Sequence, residues 1–273
     1  MLAAFAAVGY GAGDFLGGLA TRVLPVMRTV LWAHVVGLAF VGGWVVAAGV
    51  APSGSDLVAG AAAGLFGLVG LVFLYSGLAR GRSAVVAPAA TVLGALIPVG
   101  AGVALGERPN ALSWLGVALA FPANYLVSTV PGLRRRSAGL GHGLAAGLFF
   151  GCYFVVFAQT SGESGLWPLL ASRVASVVLV GLVAAAAFRS RLYPPPRGVR
   201  GAVVGVGLVD LGGNVAYLLA SEHSPLVVVA VVASLFPAVT VALARLIHAE
   251  LLTSGQMVGL GAGIGAVALL SVG

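Results

Sequence analysis

The sequence predicts an all-α membrane protein: ten transmembrane helices arranged as two inverted five-helix repeats around a central cavity. Composition is the first observation behind this. Of 273 residues, 60% are hydrophobic and only 8% are charged, and the mean hydropathy is +1.11. A soluble domain runs near 45–50% apolar and about 25% charged, so a cytoplasmic enzyme, a secreted disulfide scaffold and a nucleic-acid binder are excluded at once. Segmentation is the second. At about 20 residues per membrane-spanning helix plus short loops, roughly ten spans fit. An internal repeat is the third.

The spans follow in order from the breaks between them. The first is expected at 3–21; it carries Asp14 and has neither a basic start nor a small-residue cleavage site, so it reads as a span and not as a signal peptide. Arg22 and Arg28 separate it from the second, 29–50. Pro52 and Asp56 precede the third, 57–79, which Arg80 and Arg82 end. The fourth, 84–106, stops at Glu107 and Pro109. The fifth, 110–130, stops before Arg134, Arg135 and Arg136. Ser161 and Ser164 divide the sixth, 141–159, from the seventh, 166–188. A stretch with Arg189, Arg191 and three prolines at 194–196 leads to the eighth, 199–220. The ninth and tenth lie at 225–247 and 254–272. The apolar runs do not alternate, and in hydrocarbon every backbone polar group must be satisfied within its segment, so these runs are helices.

The repeat appears on shifting the chain against itself. One constant shift sets Gly106–Glu107 on Ala249–Glu250 and Gly116 on Gly259; nearer the start a slightly smaller one sets Tyr10–Gly11 on Phe150–Gly151. The expected units are 1–133 and 137–273. Five spans per copy is an odd number, so the copies run through the membrane in opposite directions. Inverted repeats of this kind characterise carriers with a site at the repeat interface near the midplane. Glycines at four-residue spacing, such as Gly9/Gly13/Gly17, Gly60/Gly64 and Gly143/Gly147/Gly151, form flat stripes for close helix approach. Loops after odd-numbered spans hold Arg22, Arg28, Arg80, Arg82, Arg134, Arg135, Arg136, Arg189, Arg191, Arg197 and Arg200; the others hold Arg108. The positive-inside rule then makes the odd loops cytoplasmic and puts both termini outside.

The opening Tyr10–Gly11–Ala12–Gly13–Asp14–Phe15 resembles the Trp-Gly-x-x-x-Phe start of EamA-like members of the drug/metabolite transporter superfamily. Gly106–Glu107–Arg108, followed by Gly116, resembles that family's Gly-Glu-Arg motif. Pro237 and Glu250 bracket a span in the second copy, and Arg173 stands where the family often has an arginine in the second helix of each repeat. The resemblance covers essentially the whole chain. It implies ten helices around a cavity and carrier transport of small organic solutes, most often export, with both termini cytoplasmic, against the charge count. The sequence departs from the pattern at His34, which replaces the first copy's arginine, at Gly94 opposite Pro237, and at Ala249 opposite Gly106.

Ionisable groups within spans cost about 2.5–3.5 kcal/mol each on insertion scales, which makes them functional candidates. Asp14 shares a helix face with Tyr10, four residues back. A carboxyl there can hold either a proton or a cationic substrate; alternatively it pairs permanently with Arg173 or a backbone donor. Asp210 and Asn214 have the same spacing and face one wall. Arg173 either clamps an anionic substrate group or neutralises Asp14 or Asp210. His34 is a further candidate, and Tyr10, Phe150 and Tyr153 fall on the first helices of the two copies. Asn124 beside Pro122 is a polar point in the fifth span; Pro88, Pro98 and Pro237 are expected kinks. Glu107 and Glu250 sit at equivalent span ends, which suggests capping or gating. Trp32, Trp114 and Trp167 suit interfacial anchoring. The lone Cys152 packs as a small hydrophobe.

No metal-ligand spacing, nucleophile elbow or phosphate loop is present, so neither metal nor cofactor is expected. The expected function is secondary active export of small organic metabolites or drugs across the plasma (inner) membrane, by proton or solute exchange, from a site lined by spans 1, 2, 6, 7 and 8. The alternatives are an uptake carrier for amino acids or sugar derivatives, or a membrane-embedded enzyme acting on lipid-linked substrates. The expected partners are a small-molecule substrate and the bilayer, with no nucleic acid, as a monomer or homodimer.

Overall fold

The computed structural model describes residues 1–79, 83–129, 139–188, 193–248 and 251–273. Arg80, Arg82, Arg134, Arg135, Arg136, Arg189, Arg191, Ala249 and Glu250 lie outside them. The chain is all helical, and its helices match the ten expected spans: α1 (Leu2–Thr21), α2 (Val26–Ala48), α3 (Gly54–Ala79), α4 (Ser83–Ala104), α5 (Ala111–Ser128), α6 (Leu140–Ala158), α7 (Trp167–Phe188), α8 (Arg197–His223), then α9 (Leu226–Ala233) with α10 (Phe236–His248), and α11 (Ser254–Val272). Nine described spans are long and apolar enough to cross a membrane, and Trp167–Val183 adds a shorter apolar stretch in α7.

The ninth span is the departure: the expected single helix is two, α9 and α10, separated by Ser234 and Leu235. Pro237 has no N–H to bond the carbonyl four residues back, which uncouples the turn before it. Ser234 Oγ donates instead to the Val231 carbonyl at 2.8 Å and accepts from Asn124 Nδ2 of α5 at 3.0 Å. The polar residue of the fifth span therefore serves this break. In α4 the helix runs on through Pro88 and Pro98.

Helix partnerships follow the repeat but cross between copies. α3 and α4 pack on α6 and α7, while α8, α9 and α10 pack on α1 and α2; α5 lies against α11. The third and fourth spans of each copy thus embrace the first and second of the other. Small-residue stripes make these contacts. A Cβ at Gly143 would lie 2.6 Å from the Val86 carbonyl, and one at Gly147 2.7 Å from that of Ala90, so α6 and α4 touch backbone to backbone. Gly60 and Gly64 do the same for α3 against Pro168 and Ser172 of α7, and Gly9 for α1 against Gly213 of α8.

An even number of spans puts both termini on one face. Gly273 confirms this side by accepting from Asn110 Nδ2, in the loop after α4, at 2.6 Å. We call this the arginine-poor face and the opposite one arginine-rich. The two faces are packed differently. On the arginine-poor face α4 meets α9; on the arginine-rich face α4 and α10 are not among the well-packed pairs. Seven of the eight residues of α9 are buried, whereas α10 has no buried residue.

Candidate functional site between the two halves

α8 crosses the middle of the bundle and carries Asp210 and Asn214 on one face. Arg173 reaches Asp210 from α7, forming an ion pair between its guanidinium and the carboxylate Oδ2. The arginine side chain is 6% exposed and that of Asp210 32%. Gly37 of α2 leaves the space the arginine needs, since a Cβ there would lie 3.4 Å from Arg173 Nε. Of the two neutralising partners open to Arg173 in the sequence, the pairing falls to Asp210.

The pair continues into a chain of hydrogen bonds. Asn214 Nδ2 donates to the Asp210 carbonyl at 2.7 Å and to its Oδ2 at 3.2 Å. Asn214 Oδ1 accepts from Tyr10 Oη of α1 at 3.2 Å and from Tyr153 Oη of α6. Arg173–Asp210 and Tyr153–Asn214 both join one helix group to the other, so this network bridges the two halves at mid-membrane. Two buried atoms beside it, His34 Nδ1 and Arg173 Nε, have no hydrogen-bond partner among the described residues.

Asp14 stands apart from the pair. At 100° per residue it falls with Ala3, Ala7 and Tyr10, opposite the outward-facing Phe5, which is 61% exposed. On that inward face Asp14 is nonetheless exposed and has no hydrogen-bond or ion-pair partner among the described residues, although Asp210 is close enough to act on it electrostatically. Nothing lies within 4 Å of a Cβ at Gly17 or Gly18, one turn further toward the arginine-rich face. Space is therefore open around α1 at that end, and Asp14 stands one turn from it.

Toward the arginine-poor face the network rests on aromatic rings. Phe157 and Tyr217 are fully buried; Tyr153 stacks on Phe157 with centroids 5.4 Å apart, and Phe154 meets Tyr217 at 4.8 Å. Tyr10 touches Phe154 at 5.9 Å and Phe236 at 6.5 Å. Below the rings, Asp56 accepts from Ser161 N, Ser161 Oγ and Ser164 Oγ at 3.1, 2.6 and 2.5 Å, and Trp167 Nε1 donates to the Val50 carbonyl at 2.7 Å. This end is sealed.

Of the residues singled out in the sequence, Tyr10, Tyr153, Arg173, Asp210 and Asn214 form one connected network, with His34 and Asp14 beside it. Phe150 is not brought in: its ring packs against Gly70 of α3, where a Cβ would lie 2.7 Å away. The sequence reading missed the plug of Phe154, Phe157 and Tyr217. A signal for two of them existed, because the shift that sets Tyr10 on Phe150 also sets Asp14 on Phe154 and Gly17 on Phe157. Among the described residues no cluster of His, Cys, Asp and Glu fits a metal ion.

Comparison with known proteins agrees with this architecture. No curated protein matches the chain. One solved crystal structure superimposes with a TM-score of 0.80 over 99% of this chain and 96% of the other, at 18% identity, a likeness of fold. A model of the EamA-like transporter family matches residues 1–129 and again residues 137–272; the chain belongs to this family of the drug/metabolite transporter superfamily, and is a membrane transporter for small molecules rather than an enzyme.

Proposed function

We propose that the protein is a secondary active exporter of small organic metabolites or drugs in the plasma (inner) membrane, and that its substrate and protons compete for Asp14. The unpaired, exposed Asp14 on the inward face carries this reading. Arg173 and Asp210 cancel each other, which leaves the charge of Asp14 uncompensated by an ion pair among the described residues. A proton or a substrate cation can balance that charge, and both together overcompensate it. Such exclusion is the basis of exchange. Tyr10, one turn back on α1 and backed by the rings of Phe154 and Phe236, offers an aromatic surface between Asp14 and the plug, which suits a flat apolar body bearing a positive charge.

Direction follows from the charge pattern. The positive-inside rule places the arginine-rich face in the cytoplasm, so the open end takes substrate from within the cell and the sealed end must open to release it. The test is transport in proteoliposomes under an imposed proton gradient, with fluorescent organic cations as substrates. Wild-type protein is expected to accumulate the dye against its gradient, and Asp14→Asn to lose the pH dependence while keeping its fold. Coupling that survives in Asp14→Asn would remove this residue from the mechanism.

A further inference from the structure

On the arginine-poor face, Gly106 turns the chain at φ +99°, a conformation open to glycine, and Glu107 follows with its N–H on the Gly102 carbonyl at 2.9 Å. The Glu107 carboxylate then crosses from the first repeat to the second. It accepts the backbone N–H groups of Leu226 at 2.5 Å and Val227 at 2.9 Å, the first two residues of α9. Those donors have no partner within their own helix, and the positive end of the helix dipole favours an anion there. Pro225, at the N-cap, offers no side-chain cap of its own. Gly102 makes the room: a Cβ there would lie 2.6 Å from Glu107 Oε2 and 2.9 Å from Val227 Cγ2. The contact thus sits where α4 closes on α9.

We infer that Glu107 is a positioning residue of the transport cycle, a latch that holds the arginine-poor face shut by capping α9 and lets go when that face opens. An N-cap inside one segment would tie neighbouring residues; this one ties the two groups of helices that must separate for release. It is therefore made in one state of the cycle and broken in the other. The inference rests on the carrier reading, but its test needs no substrate.

The full chain, with Cys152→Ser and spin labels at Leu105 and Ser224, both exposed on this face, is reconstituted in nanodiscs and the distance between the labels is measured. Loss of the latch in Glu107→Ala is expected to raise the separated-to-joined ratio about tenfold, with Glu107→Gln, which keeps one acceptor oxygen, in between. Gly102→Ala, whose Cβ crowds both the carboxylate and Val227 of α9, shifts the ratio the same way and covers the case where Glu107→Ala fails to fold. A second readout separates gating from loosening: polar maleimide labelling of Gly17→Cys, in the open mouth, should fall in the same variants, because opening one face closes the other. Unchanged distances, or labelling of Gly17→Cys that rises with the distance, would overturn the latch. A failure of Asp14→Asn to affect coupling would leave this result intact.

Discussion

Asp14 and Gly17 on α1 and Phe154 and Phe157 on α6 occupy the same places in the two repeats, and they build opposite ends of one cavity. At the sealed end Phe157 is fully buried and stacks on Tyr153. At the open end a side chain at Gly17 would meet nothing within 4 Å, and Asp14 is exposed. The ninth span repeats the contrast: α9 is packed along its length and α10 has no buried residue. A symmetric backbone thus carries an asymmetric set of side chains. One end closes by packing rings, the other keeps a charge and a gap.

The sharpest way to break this arrangement is through the ion pair between the halves. Arg173 is buried more deeply than Asp210, so the two single losses are unequal. Asp210→Ala strands a buried guanidinium, and a broken buried pair costs about 3–5 kcal/mol. Arg173→Gln leaves a third-exposed carboxylate that water can satisfy, and should cost less than half as much. Thermal unfolding of the purified variants in detergent checks the order. Equal losses would mean that both charges are equally cut off from water.

Next in size is a change within one helix group. A Cβ at Gly64 would lie 2.8 Å from Ser172 Cα of α7, and overpacking of this kind costs about 1–3 kcal/mol. Because α3 and α7 belong to the same group, Gly64→Ala should lower the melting temperature yet leave the spin-label distance ratio across the arginine-poor face unchanged. A shifted ratio would show that the group itself deforms during gating.

How much of this was legible in the sequence follows from what each level depends on. Spans were readable because hydrophobic length in lipid is a strong one-dimensional signal, and Arg22, Pro52, Glu107 and Ser161 marked where they stop. The network residues were readable because Asp14, Arg173, Asp210 and Asn214 are expensive in hydrocarbon wherever they face. Pairing was not, since Arg173 choosing Asp210 over Asp14 depends on the seat left by Gly37 in a different span. The break at Ser234 was half legible: Pro237 marked it, but the Asn124 amide that meets it is 110 residues away. The plug was only partly legible: the repeat sets Phe154 and Phe157 opposite Asp14 and Gly17, but Tyr217 looks like any residue of an apolar helix.

That break offers a smaller effect. Asn124 is 1% exposed and its bond to Ser234 joins α5 to the turn between α9 and α10. Interhelical hydrogen bonds in membranes average about 0.6 kcal/mol and reach nearly 2. Asn124→Leu should therefore cost about 1 kcal/mol in thermal unfolding and speed amide exchange at 234–236. Exchange that stays as slow as in wild type would mean that Pro237 alone shapes the turn.

The smallest effect on stability carries the largest on transport. Gly17→Phe places in the open mouth the residue that its repeat mate Phe157 supplies at the sealed end. Open space around Gly17 accepts a ring without overlap, and replacing a helix-interior glycine is favourable by up to about 1 kcal/mol, so melting should change little or rise. Dye exchange in proteoliposomes should nevertheless fall steeply, because the ring sits one turn from Asp14, on the side away from the Phe157–Tyr217 seal. Unimpaired exchange in a well-folded Gly17→Phe would show that substrate reaches Asp14 by another path, between helices from the bilayer, and the open end would then be a consequence of the sparse packing of α4 on α10 and not the route.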